Sequence, residues 1–93
     1  MIETFKDRRT RELFEGVGIH RQWREIAPRA LAQLQMLNAA ETVYDLYNPP
    51  SNRLEKLSGD RAGFYSIRIT SRWRLCFRFE GGNAHGVEIV DYH

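Results

Sequence analysis

Polar and apolar residues alternate through the last third of the chain, and the alternation has a period of two. In the stretch from Phe64 to Ile69, Tyr65, Ile67 and Ile69 fall on one side, Ser66 and Arg68 on the other. From Trp73 to Glu80 the pattern repeats, with Trp73, Leu75, Phe77 and Phe79 inward and Arg74, Cys76 and Arg78 outward. Successive strand residues point to opposite faces, so such alternation predicts half-buried strands. Glu80-Gly81-Gly82-Asn83 has the composition of a hairpin turn, and Ala84 to Asp91 returns as a further strand with Val87 and Ile89 toward the core.

Upstream the spacing changes. Ile2 to Phe5 is short and β-permissive and predicts a first strand. Asp7 is placed to cap a helix over Arg8 to Glu15, with Leu13 and Phe14 as its apolar patch and Gly16 and Gly18 at its stop. Ile26, Ala30, Leu31, Leu34 and Leu37 recur at three and four and predict a second helix within His20 to Leu37. Pro28 interrupts that pattern. Either the regular helix starts near Pro28, whose missing N–H is harmless in a first turn, or an earlier turn is kinked there. Trp23 reads as a packing residue. Asn38, Ala39 and Ala40 close the helix, and Thr42 with Asp45 has the spacing to cap a short turn holding Val43, Tyr44 and Leu46.

Asn48-Pro49-Pro50-Ser51-Asn52 breaks regular structure and is expected to be extended and surface-lying, too short to link domains. Beyond it Arg53 to Leu57 predicts a strand and Ser58-Gly59-Asp60 a turn. A helical half followed by a β-rich half, within 93 residues, describes one α+β domain covering 1–93.

Composition changes this picture in one respect, the placement of charge. The net charge is only +2. Residues 1–52 carry seven basic and seven acidic side chains, while 53–93 carry seven basic and five acidic. Arg61, Arg68, Arg72, Arg74 and Arg78 span a segment free of acids, whereas Arg8, Arg9 and Arg11 read as the solvated face of the first helix. The lone Cys76 excludes an internal disulfide and fits a small core residue in a reducing compartment. No apolar run reaches the roughly 18 residues of a membrane span, and the start lacks a signal-peptide core, so a cytoplasmic protein with no membrane partner is expected.

With the helices on the face of Ile67, Ile69, Leu75, Phe77, Phe79, Val87 and Ile89, the opposite face presents Arg68, Arg74, Arg78, Glu88 and Tyr92 together. Such a face suits a phosphate backbone with a base stacked beside it, and it is equally the polar outer face of any one-sided sheet. His20, His85 and His93 are scattered, so no metal-ligand spacing is present and no cofactor is expected. Phosphate loops and nucleophile elbows are absent as well. Phosphodiester cleavage by side chains alone remains open: arginines hold charge on the phosphoryl oxygens, and His93, beside that face, is of the residue type whose unperturbed pKa lies near neutrality.

The segments LNAA (37–40), PPSNRLEKLSGD (49–60), YSIRI (65–69), WRLCFRF (73–79) and EIVDYH (88–93), in this order and spacing, resemble the HigB toxins of bacterial toxin-antitoxin pairs, within the RelE/ParE superfamily. The resemblance covers essentially the whole chain. It implies a RelE/ParE-like α+β fold: an N-terminal strand and two helices packed on one face of a curved, mainly antiparallel sheet. It further implies a ribosome-dependent mRNA interferase that cuts mRNA in the aminoacyl site of the small subunit without a metal. A HigA-like helix-turn-helix antitoxin would neutralise it, and operator DNA would be bound only through that antitoxin.

Carried over by matching residue, the resemblance places catalytic work on Arg68, Arg74, Asp91, Tyr92 and His93. His93 is then the proton carrier, Asp91 its partner, and Tyr92 an aromatic that stacks on or orients the scissile nucleotide. Lys56, Arg53, Arg61, Arg72 and Arg78 are expected to contact RNA or support the fold. Two other readings are a ParE-like gyrase poison and a non-catalytic RNA-binding module acting through its antitoxin. The second helix departs from many relatives in that Ala30 to Leu37 has no cation.

Overall fold

A computed structural model describes residues 1–92. Two helices, α1 (Arg8–Glu15) and α2 (Ala27–Ala39), precede four strands, β1 (Glu55–Lys56), β2 (Phe64–Arg68), β3 (Trp73–Glu80) and β4 (Asn83–Asp91). The strands lie in the order β1-β2-β3-β4 and every pair is antiparallel. Residues Ile2 and Phe5 bridge to Ala84 and Val87 in the parallel sense, so the N-terminal segment runs along the outer edge of β4.

Local chemistry explains the helix limits. The Asp7 carboxylate accepts from the Thr10 N–H at 2.7 Å and caps α1, and Gly16 ends it with φ 77°, a left-handed conformation that costs glycine nothing. Of the two readings of Pro28 the first holds. A 3-10 turn spans Arg21–Trp23, and α2 begins at Ala27 with Pro28 in its first turn. The helix expected from His20 is shortened because the proline ring has no N–H to give a preceding turn and would clash with its carbonyl. Thr42 and Asp45 cap a 3-10 turn over Val43–Tyr47, the carboxylate accepting from the Glu41 and Thr42 N–H groups at 2.9 and 3.1 Å.

Both helices cover one face of the sheet. Ala30, Leu34 and Leu37 of α2 share the core with Ile67, Leu75, Phe77 and Val87, all fully buried. Each large side chain so placed contributes about 1.5–3 kcal/mol. Trp23 closes one end, edge-on to Trp73 at 6.5 Å. One extra residue in β4 keeps its faces consistent: Cys76 pairs with Glu88 but Arg78 with His85, and Gly86 at φ 60° absorbs the bulge. Ala84 and Val87 thereby both point into the core.

Segment 48–53 differs from expectation. The Asn48–Pro49 peptide is cis, Pro50–Asn52 form a 3-10 turn, and Asn52 is buried rather than surface-lying. Its amide donates to the carbonyls of Leu46 and Asn48 at 3.1 and 3.3 Å, and its Oδ1 accepts from Gln33 Nε2 at 2.9 Å. Buried carbonyls require a partner, and Asn52 supplies it. Arg53 then takes φ 46°, which shortens the expected Arg53–Leu57 strand to Glu55–Lys56.

Candidate active site

Strand alternation carries Ser66 and Arg68 of β2, Arg74, Cys76 and Arg78 of β3 and Glu88 of β4 to the face turned away from the helices. Arg68 and Arg74 are direct cross-strand partners, as are Ser66 and Cys76. Tyr92, just past β4, joins them: its backbone N–H donates to the Arg72 carbonyl at 2.6 Å and its ring lies 5.9 Å from the Arg74 guanidinium.

The middle of this face is not the uncovered polar surface that alternation predicts. Ser66 and Cys76 are 0 % exposed and Arg74 only 7 %. The Arg74 Nε donates to Ser66 Oγ at 2.8 Å, Nη2 donates to the carbonyls of Ser66 and Arg53, and Nη1 lies 3.5 Å from a Glu55 carboxylate oxygen. A charge this far from water persists only with its N–H groups occupied, and those of Arg74 are. Arg74 is therefore a strut that joins β1, β2 and β3 and supports Tyr92.

Cys76 is buried as expected, on the outer side where alternation places it and near Tyr92. Burial pushes the thiol above its ordinary range, partly offset by the charge of Arg61. Burial likewise raises the Tyr92 phenol, with the Cys76 charge adding to it. Both groups keep their protons at neutral pH.

The cations near this face divide into two sets. Arg61 and Lys6 pair with Glu88 at 3.3 and 3.4 Å, Arg78 pairs with Glu80, and Arg72 donates twice to Asp91 at 2.9 and 2.7 Å. Asp91 also raises the Arg72 pKa, by hydrogen bonding and then by charge. The Arg53, Lys56 and Arg68 side chains have no hydrogen-bond or ion-pair partner among the described residues. Arg68 borders an open hollow of about 240 Å³ with Arg53, Glu55 and Arg74. An unpaired guanidinium on a rigid strand, beside the fixed positive charge of Arg74, is suited to grip a phosphate in two-pronged fashion.

The structure thus brings Arg53, Arg68 and Arg74 round one hollow, with Tyr92 against Arg74 and Lys56 on the edge strand β1. Arg61 and Arg78 lie on the same face but are held by carboxylates. Asp91 is the cross-strand partner of Trp73 and pairs with Arg72, so alternation turns it to the side opposite Tyr92. His93 lies outside the described residues. Among the described residues no group of three or more His, Cys, Asp or Glu could hold a metal ion.

Ser66, Glu55, Gln33 and Asn52 were not singled out from sequence. Alternation does place Ser66 on the face of Arg74. Nothing in the sequence marks Asn52 or Gln33, whose partners lie 19 and 35 residues away in the chain.

The architecture is a fold also found in a solved toxin-antitoxin complex. It matches YoeB in the heterotetrameric YoeB-YefM toxin-antitoxin complex from Staphylococcus aureus with a TM-score of 0.62, covering 100% of this chain and 98% of that one at 16% identity. Sequence narrows the class. Residues 3–93 match the family described as the RelE-like toxin of type II toxin-antitoxin system HigB. The chain is 35% identical over its whole length, and all of the relative's, to the Endoribonuclease HigB of Proteus vulgaris. It is 37% identical to Toxin HigB-1 of Vibrio cholerae, covering 90% of each. The chain belongs to the HigB family of RelE-like toxins.

Proposed function

We propose that this toxin is a ribosome-dependent endoribonuclease, cutting mRNA held in the aminoacyl site of the small subunit. The 35% identity over the whole chain to an endoribonuclease of the family carries the reading, and the unpaired Arg68 across from Arg74, which holds the Tyr92 ring, supplies chemistry that fits it. Cleavage through the ribose 2′-hydroxyl needs a base, an acid for the departing 5′-oxygen, and positive charge where the phosphoryl oxygens gain negative charge.

Arg68 takes the phosphoryl oxygens directly, its fork free for them. Arg74 adds a fixed positive charge beneath and holds the Tyr92 ring, which stacks on or orients the scissile nucleotide. Its phenol carries its proton at neutral pH and is a hydrogen-bond donor there. His93 is assigned the proton transfer and Asp91 its orientation. Arg53 and Lys56 hold flanking phosphates. Arg61, Arg72 and Arg78, already facing carboxylates, have structural work and weaker contacts with ribosomal RNA.

The neutralising partner is a HigA-like helix-turn-helix antitoxin, through which the pair reaches operator DNA, and the site of action is the cytoplasm. No helix among the described residues is long and apolar enough to cross a membrane. Expression in a bacterial host, with transcript 5′ ends mapped and the DNA-damage response followed, tests the reading. The expected result is cleavage within translated codons and no damage response. DNA breaks with intact transcripts would make the protein a gyrase poison, and antitoxin binding without growth arrest would make it a non-catalytic module.

A further inference from the structure

Arg29 stands exposed in the first turn of α2 and, among the described residues, has no ion-pair or hydrogen-bond partner. A cation there opposes the helix dipole, which favours negative charge at that end. Neither the stability of α2 nor packing accounts for it.

Its neighbours do. Arg29, Gln33, Ser51, Asn52 and Arg68 line a hollow of about 130 Å³ whose walls include no carboxylate. Arg68 is at the same time a wall of the larger hollow it shares with Arg53 and Arg74. The two hollows share Arg68, one reaching α2 through Arg29 and Gln33 and the other reaching β3 through Arg74. The smaller one is firmly built: Gln33 Nε2 donates to the buried Asn52 Oδ1 at 2.9 Å and to the Arg68 carbonyl at 2.7 Å, fixing α2, the 48–53 segment and the end of β2 to one another. An unpaired guanidinium and a serine hydroxyl at a small acid-free hollow, next to Arg68, are the chemistry of a phosphate site.

We infer that Arg29, with Ser51, forms a second phosphate subsite, which holds the phosphodiester next to the one at Arg68 on the same RNA strand. This rests on the reading of the outer face as RNA-binding. The bound strand then leaves the active face toward α2.

The test uses the full chain and two uncleavable, 2′-deoxy-blocked single-stranded oligonucleotides, one with a single phosphodiester and one with three, titrated across a range of salt. Arg29→Gln is expected to weaken the longer strand roughly fivefold and to lower the slope of log K against log salt by about 0.7, the loss of one phosphate contact on a single strand. It leaves the shorter strand unchanged, Arg29→Lys restores the slope, and Arg9→Gln alters neither. Arg68→Ala weakens both strands. If Arg68→Ala weakens both while Arg29→Gln changes neither slope nor length dependence, the second subsite is overturned and the RNA-binding face stands. If Arg68→Ala has no effect, the reading of the face itself fails. If Arg29→Gln weakens binding to mRNA-free small subunits but not to the oligonucleotides, Arg29 serves ribosomal RNA and the same-strand assignment is overturned.

Discussion

Arg68 and Arg74 face each other across two strands and have opposite duties. Arg68 is unpaired and half-buried; Arg74 is 7 % exposed with its guanidinium spent on Ser66, Arg53 and Glu55. Arg68→Ala should therefore leave stability within about 0.5 kcal/mol of the parent while lowering cleavage. Arg74→Ala should cost about 1–3 kcal/mol, because it strands two carbonyls and the Ser66 hydroxyl away from water. For a chain of this size that is a fall in melting temperature of several degrees, measurable by calorimetry; equal melting temperatures for the two variants would contradict the division.

Cys76 and Tyr92 add a pH dependence. Each binds its proton more tightly folded than unfolded, so the unfolded state loses protons first as the pH rises past about 9, the ordinary range of a thiol. The sign follows: stability is full below that range and is lost as the pH climbs toward the raised folded values. Cys76→Ala should flatten the alkaline limb of a denaturation series, and the native thiol should resist a thiol reagent until the protein unfolds. Alternation made the direction of all four side chains legible in the sequence. It could not reveal their burial, because a period of two fixes where a side chain points and says nothing of what is laid over it.

Among the elements, those with local causes were legible. Asp7 and Gly16 bound α1, Pro28 opens α2, Thr42 and Asp45 cap the following turn, and Gly81-Gly82 turn the last hairpin with φ 61° and 81°. Elements with distant causes were not. The 48–53 segment owes its form to Asn52, whose partners come from α2 and the preceding turn. Asn52→Ala should cost about 1–3 kcal/mol by leaving the Leu46 and Asn48 carbonyls unsatisfied. It should also reduce cleavage, since Arg53 and Arg68 are held through this segment and Gln33; full activity at lowered stability would separate the segment from the site. Leu34→Ala, a cavity in the fully buried stripe of α2, should cost about 2–5 kcal/mol in denaturant titration with the site geometry unaffected.

The molecule as a whole has a net charge of only +2, and that number hides its organisation. Carboxylates neutralise Arg61, Arg72 and Arg78 in place, while Arg29, Arg53 and Arg68, without an ion-pair partner among the described residues, line two hollows that share Arg68. The sequence exposed the basic excess of the second half. It did not show which cations are spent, since Glu88 and Asp91 meet theirs across 27 and 19 residues of chain.

Cleavage of mRNA on purified, programmed ribosomes by the parent chain, Arg68→Ala and His93→Ala is the most direct measurement. The parent should cut within the codon in the aminoacyl site. Each variant should lose roughly a hundredfold or more in rate at an unchanged melting temperature. Cleavage by either variant at the parental rate, or an intact message with the parent, would contradict the assignment of this face as a ribonuclease site.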